Sequence, residues 1–158
     1  KDFLKTNRDA QGLFRHLSGV GAMTRGQVGD AGERIASRWL RRQGYSDILA
    51  LQNRSGNGID IIARNSWGRT VVFEVKTGRG QIGGLSGRQR SMYKFLQNVL
   101  TEVAGSTGGT GRYRNVGIVQ QARARRLLKR LSDPGDLSGN VVGIDLVNKI
   151  LRVSPWPR

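Results

Sequence analysis

Three side chains able to do acid–base or metal chemistry fall close together in this sequence: Asp60, Glu74 and Lys76. Asp60 lies in Gly58-Ile59-Asp60-Ile61-Ile62-Ala63-Arg64. Glu74 and Lys76 lie in Thr70-Val71-Val72-Phe73-Glu74-Val75-Lys76, with Asn65-Ser66-Trp67-Gly68-Arg69 between the two runs. Two apolar, β-branched runs around a short polar stretch containing Gly predict a hairpin. A turn centred near Trp67 pairs residues whose numbers sum to 134, which sets Asp60 opposite Glu74. Their Cβ atoms would then be roughly 5 Å apart. Side chains alternate faces along a strand, so Lys76 shares the face of Glu74 while Val75 points away. Like charges this close are costly unless a cation relieves them, and a hard divalent ion with oxygen ligands would do so. The same residues also fit a plain hairpin held by a cross-strand ion pair.

The elements that must position this hairpin can be read on either side of it. Residues 30–43 are expected to form an amphipathic helix with Asp30 as N-cap and Glu33 at capping-box spacing. Gly32, Ile35, Ala36, Trp39 and Leu40 share its apolar face, and Arg34, Arg38, Arg41 and Arg42 its basic one. Residues 48–52 read as a short strand and 53–58 as a turn delivering Asp60. After the Gly-rich stretch 77–87, a helix is expected from Ser86 through Ala104, with Met92, Leu96, Val99, Leu100 and Val103 as its core stripe. Gln89 and Tyr93, four residues apart, share one face of its start. Residues 105–114 read as a Gly/Ser/Thr loop, 116–120 as a core strand, 122–131 as a basic helix, and 133–136 as a turn. Residues 141–147 and 150–153 read as a final hairpin. Asp145 within it has no partner in sequence and stays outside the candidate site. Residues 1–18 read as a helix broken by Gly19 and Gly21, so 1–28 is expected to be a linker or accessory segment and 29–158 the single main domain.

Composition narrows the function. The 158 residues include 27 Lys and Arg against 11 Asp and Glu, a formal charge of +16. That balance favours a polyanionic partner, since neutralising phosphates drives nucleic-acid binding. The absence of Cys excludes disulfides, zinc fingers and thiol catalysis. A single histidine, His16, disfavours histidine-dependent chemistry. No apolar run reaches transmembrane length. Carboxylates, Lys and a metal are left to do any chemistry.

An Asp at the end of one strand followed by Glu-x-Lys on the next resembles the PD-(D/E)XK nuclease superfamily, the restriction-endonuclease-like fold. Asp60 and Glu74-Val75-Lys76 match that pattern, with Ile59 where the family nominally has Pro. The resemblance implies an α/β fold, a mixed central sheet flanked by helices with an αβββαβ core over residues 29–121. It implies metal-dependent phosphodiester hydrolysis. Asp60, Glu74, the Val75 carbonyl and Glu33 would hold Mg²⁺ (or Mn²⁺ or Zn²⁺), and Lys76 would orient or deprotonate water. Gly29-Asp30-Ala31-Gly32-Glu33 resembles the opening of resolvase-like members, which adds Glu33 to the catalytic set. Gln89-x-x-x-Tyr93 resembles an element of some branches, which adds Gln89.

The non-Met start, small size and high charge also resemble the C-terminal domain of bacterial polymorphic, contact-dependent growth inhibition toxins. On that resemblance the chain would be a DNA-cleaving toxin, secreted or surface-delivered and acting in the target-cell cytoplasm. Its partners would be DNA and an acidic immunity protein. Three other readings stand beside this one: a tRNA-cleaving toxin, a housekeeping junction resolvase-like nuclease, and a non-catalytic nucleic-acid-binding module.

Overall fold

The computed structural model describes residues 12–106, 111–133 and 137–158. Part of the expected N-terminal helix, of the 105–114 loop and of the 133–136 turn lies outside these residues. The order is α1 (Arg25–Arg42), β1 (Ser46–Gln52), β2 (Gly58–Arg64), β3 (Thr70–Gly78), α2 (Met92–Gly105), α3 (Ile118–Arg130), β4 (Ser138–Asp145) and β5 (Ile150–Pro155). The strands form one mixed sheet in the order β1-β2-β3-β4-β5. All neighbouring pairs are antiparallel except β3 and β4, which run parallel. This is the α/β architecture expected, consistent with a restriction-endonuclease-like core.

The sheet divides the core in two, as its period-2 pattern dictates. Ile61, Ala63, Val71 and Phe73 pack on one side with Ala31, Ile35, Ala36, Trp39 and Leu40 of α1. Ile62 and Val72 pack on the other with Met92, Leu96, Val99, Leu100 and Val103 of α2 and Ala124 and Leu127 of α3. Each fully buried Val, Leu, Ile, Met or Phe side chain among them contributes roughly 1.5–3 kcal/mol relative to exposure. Leu13 and Phe14 are buried in the α1 layer, so residues just inside the described N-terminus take part in the core.

Several sequence expectations are corrected here. Residues 12–18 hold a 3₁₀ turn at 12–14 rather than an α-helix. Helix α1 starts five residues before Asp30, because Thr24 and Gln27 form a reciprocal capping box. Thr24 Oγ1 accepts from Gln27 N at 3.2 Å, and Gln27 Oε1 accepts from Thr24 N at 2.9 Å. Glu33 is thereby released from capping and sits inside the helix. The 86–104 helix starts only at Met92. Ser86 and Gln89 close a separate 3₁₀ turn over Gly87–Gln89, and Ser91 caps α2. Residues 116–120 are not a strand: Gly117 N donates to Gln120 Oε1 at 2.7 Å, and α3 begins at Ile118. Ile118 and Val119 point into solvent, 84% and 79% exposed. The strand that completes the core is instead β4, reached after α3.

Two glycines set how closely the layers approach. A Cβ on Gly32 would lie 1.7 Å from Thr77 Oγ1, so α1 sits directly on β3 there. Gly58 has φ 141°, and a Cβ on it would lie 2.0 Å from the Leu51 carbonyl oxygen. Replacing Gly32 with Ala is expected to lower stability by about 1–3 kcal/mol through overpacking. Thr77→Ala in the same chain should return part of the loss in urea unfolding, since it removes the nearest atom. A Gly32→Ala chain as stable as the native one would show that α1 is free to shift.

Candidate active site

β3 is a central strand with neighbours on both sides, and its charged residues differ in burial: Lys76 is partly exposed. Glu74 is 3% exposed there. The β2–β3 ladder pairs Arg64 with Thr70, Ala63 with Val71, Ile62 with Val72 and Ile61 with Phe73, all sums of 134. Asp60 and Glu74 are the next residues in that register. The turn is set by Asn65, whose side-chain oxygen accepts from Trp67 N at 3.0 Å and Arg69 N at 2.9 Å, with Gly68 at φ 76°.

A β-bulge then re-aims Asp60. Leu51 pairs with Ile59 but Leu49 with Ile62, so Asp60 and Ile61 together lie against Ala50 alone. Ile59 and Ile62, three apart, consequently bury in the same α2-side layer, and Asp60 turns towards the end of the sheet where α1 passes. Bulges beside functional sites commonly act this way.

The resulting contacts form a chain of polar groups. Gln52 Nε2 donates to Glu33 Oε1 at 3.0 Å and to Asp60 Oδ1 at 2.9 Å. Val75 N donates to Asp60 Oδ2 at 2.8 Å, while the Val75 side chain packs towards α1. Lys76 Nζ lies 2.9 Å from Glu74 Oε1 and donates to Gln89 Oε1 at 2.7 Å. Gln89 Nε2 donates to Glu74 Oε1. Gln89 is itself held from both sides: Ser86 N and Oγ donate to its side-chain oxygen, and Trp156 Nε1 donates to its carbonyl at 2.7 Å. The five side chains Glu33, Asp60, Glu74, Lys76 and Gln89 line one cavity of about 1650 Å³.

Sequence reasoning missed Gln52 and Ser86. Gln52 could have been found from strand adjacency, since it pairs with Gly58 two residues from Asp60. Tyr93, by contrast, packs against the α2-side core. Asp145, the last residue of β4, fixes the turn that follows: it is buried and accepts from Gly80 N, Val147 N and Asn148 N and from the Asn148 amide. Burial alone would raise its carboxyl, but these hydrogen bonds hold it below the usual range. His16 is exposed.

The electrostatics follow from burial. Burial and the charge of Glu74 push Asp60 up to about 7, against the Val75 N–H, Gln52 and Lys76. Burial also raises Glu74, against Lys76 and Gln89. Burial raises Glu33, opposed by the Gln52 hydrogen bond and assisted by Asp60 and Asp30.

The donors fit a hard divalent ion in kind: carboxylate oxygens and the Val75 carbonyl, with Glu74 Oε2 buried and lacking a hydrogen-bond partner. Among the described residues no three acidic or histidine side chains are gathered tightly enough to hold an ion as they stand. The Gln52 amide bridges Glu33 and Asp60 instead.

A pH dependence follows. In the fold, Asp60 keeps its proton up to about pH 7, whereas its ordinary value is 3.8. The folded state therefore binds a proton that the unfolded chain has lost, and stability falls as pH rises between those values. In EDTA, the urea midpoint is expected to drop from pH 5 to pH 8, and to drop less in Asp60→Asn. A full-sized drop in that variant would place the titration elsewhere.

Comparison with known proteins bears on this segment. Residues 32–105 match the model of a family described as "Uncharacterised protein family UPF0102". A UPF0102 protein of Roseiflexus castenholzii is 44% identical over 63 residues, 39% of this chain and 49% of that protein. The UPF0102 protein YraN of Salmonella newport is 39% identical over 83 residues, 52% of this chain and 60% of that protein. The chain thus spans about half to three-fifths of the length of these relatives. No solved structure matches it. Among the described residues no helix is long and apolar enough to cross a membrane. The similarity runs to UPF0102 proteins and not to a toxin domain, which corrects the expectation of a secreted or surface-delivered protein acting in a target cell. The grounds for an acidic immunity protein and for a tRNA-cleaving toxin go with it. Through the segment that contains Glu33, Asp60, Glu74, Lys76 and Gln89, the chain is similar to the uncharacterised family UPF0102.

Proposed function

We propose that the chain is a metal-dependent phosphodiesterase acting on DNA, of the resolvase-like kind rather than a toxin. The observation that supports this most is the convergence of Asp60, Glu74 and Lys76 with Glu33 and Gln89 in one large cleft. A merely structural hairpin has no need to hold two adjacent carboxylates in a buried, mutually unfavourable position. The similarity to UPF0102 proteins favours the resolvase-like alternative over the toxin.

On this reading Asp60 and Glu74, with the Val75 carbonyl and Glu33, hold Mg²⁺ or a similar ion. The ion, when bound, polarises a phosphoryl oxygen and lowers the pKa of a water. Lys76, held by Glu74 and Gln89, keeps a positive charge beside the carboxylates and offsets charge developing on the phosphoryl group. Gln89 fixes Lys76 and Glu74 relative to each other through its two amide atoms. Gln52 keeps Glu33 and Asp60 within reach of one another. Arg79, Arg88, Arg90 and Lys94 also line the cleft and supply sequence-independent attraction for phosphates.

The test is incubation with supercoiled plasmid and with a four-way DNA junction, in Mg²⁺, in Mn²⁺ and in EDTA. Cleavage is expected only with metal, and is expected to fall by at least about a hundredfold in Asp60→Ala and in Lys76→Ala. Binding in EDTA should persist in both variants. Salt-sensitive binding with no cleavage by the native chain under any metal would make it a binding module.

A further inference from the structure

A second, smaller cavity of about 530 Å³ opens on the other side of the same carboxylates. Glu33 and Asp60 line both cavities, so these two side chains form part of the wall between them. The second cavity runs between α1 and β1, and β1 is an edge strand of the sheet. Arg34, Arg38 and Arg41 line it, each exposed. None of the three makes an ion pair among the described residues, although Asp30 also lines the groove.

An arginine row on an exposed helix face is by itself ordinary. Here it forms one side of a groove that leads directly to the candidate catalytic carboxylates. Seven residues of helix separate Arg34 from Arg41, about 10 Å of axis, and successive phosphates on one strand of a duplex advance about 3.4 Å each. The row therefore spans roughly three phosphate-to-phosphate steps along a strand. Guanidinium groups suit this task through their planar, multi-donor geometry.

We infer that the α1–β1 groove is a phosphate-binding arm for the DNA strand on one side of the scissile bond, the large cleft receiving the other side. This rests on the nuclease reading above and extends it. The substrate strand would thus pass over Glu33 and Asp60 from one cavity to the other, with Arg34, Arg38 and Arg41 setting its course.

The test measures binding of a fluorescein-labelled 24-base-pair DNA duplex in EDTA at several salt concentrations. Three proteins are compared: the native chain, Arg34→Gln/Arg38→Gln/Arg41→Gln, and Arg126→Gln/Lys129→Gln/Arg152→Gln. The last pair remove the same charge from exposed positions, and thermal melting checks that all three fold. The groove variant is expected to reduce the salt slope, log K against log[salt], by roughly 2 to 3, and the control variant by less than 1. Arg38→Gln alone should give about a third of the groove effect. Equal slopes in the two triple variants would overturn the groove, even where the native chain cleaves DNA. Binding that depends on the groove, in a chain that cleaves nothing, would support the groove and sink the nuclease reading.

Discussion

The structure depends on a pair of carboxylates kept close together in the interior. Glu74 lies on a central strand, almost fully buried, and Asp60 is next to it in the hairpin register. In water such a pair would repel weakly. Withdrawn from water, the lost hydration and the repulsion together disfavour two charged carboxylates, which pushes Asp60 up to about 7. Four groups around the pair offset that cost, against the further negative charge of Glu33: the Lys76 ammonium, the Val75 N–H, the Gln52 amide and the Gln89 amide. Most of these partners come from different elements, so the sheet, the β1 end and the turn before α2 must all be in place for the pair to be tolerated.

The backbone is shaped to bring those partners together. The bulge at Asp60–Ile61 is one of two register shifts between β1 and β2, and beside it Gln52 joins Asp60 to Glu33 of α1. Gly58 allows the chain to pass close over the Leu51 carbonyl, and Gly32 lets α1 lie on β3 so that Glu33 reaches the same patch. On the opposite side of the cleft, the C-terminal segment holds the Gln89 turn. Trp156 Nε1 donates to the Gln89 carbonyl, and Met92 N donates to the Pro157 carbonyl. Arg79, just after β3, donates to the carbonyls of Gly21 and Met23 and so ties the N-terminal segment to the cleft edge.

Much of this was legible because local rules governed it. The hairpin register followed from Asn65 and Gly68 in the turn, and the helix faces from period 3.6, as the burial of Ile35, Trp39 and Leu40 shows. What escaped was set by competition or by distance. Two capping boxes were available near the start of α1, at Thr24–Gln27 and Asp30–Glu33, and the upstream one starts the helix. The apolar residues Ile118 and Val119 resembled a strand, but Gln120 caps Gly117 and the run opens a helix instead. The bulge and the Gln52 bridge depend on how β1 meets β2, which no single stretch encodes. The toxin expectation failed for another reason. It rested on size, charge and the first residue, none of which describes a site.

The site is an acidic point in a strongly basic protein, and that contrast constrains how a polyanion could approach it. At physiological salt, charges more than about 8 Å away are largely screened, so the net charge of +16 acts mainly on encounter. Close to the carboxylates, only the bases lining the cleft count, and there Glu33, Asp60 and Glu74 oppose a phosphate. The opposition is smallest when Asp60 holds its proton or when a cation lies among the three. Burial raises the carboxyl groups, and Lys76, Gln52 and Gln89 limit the rise. That local balance, more than the net charge of the whole chain, sets how strongly the cleft opposes a phosphate at the carboxylates.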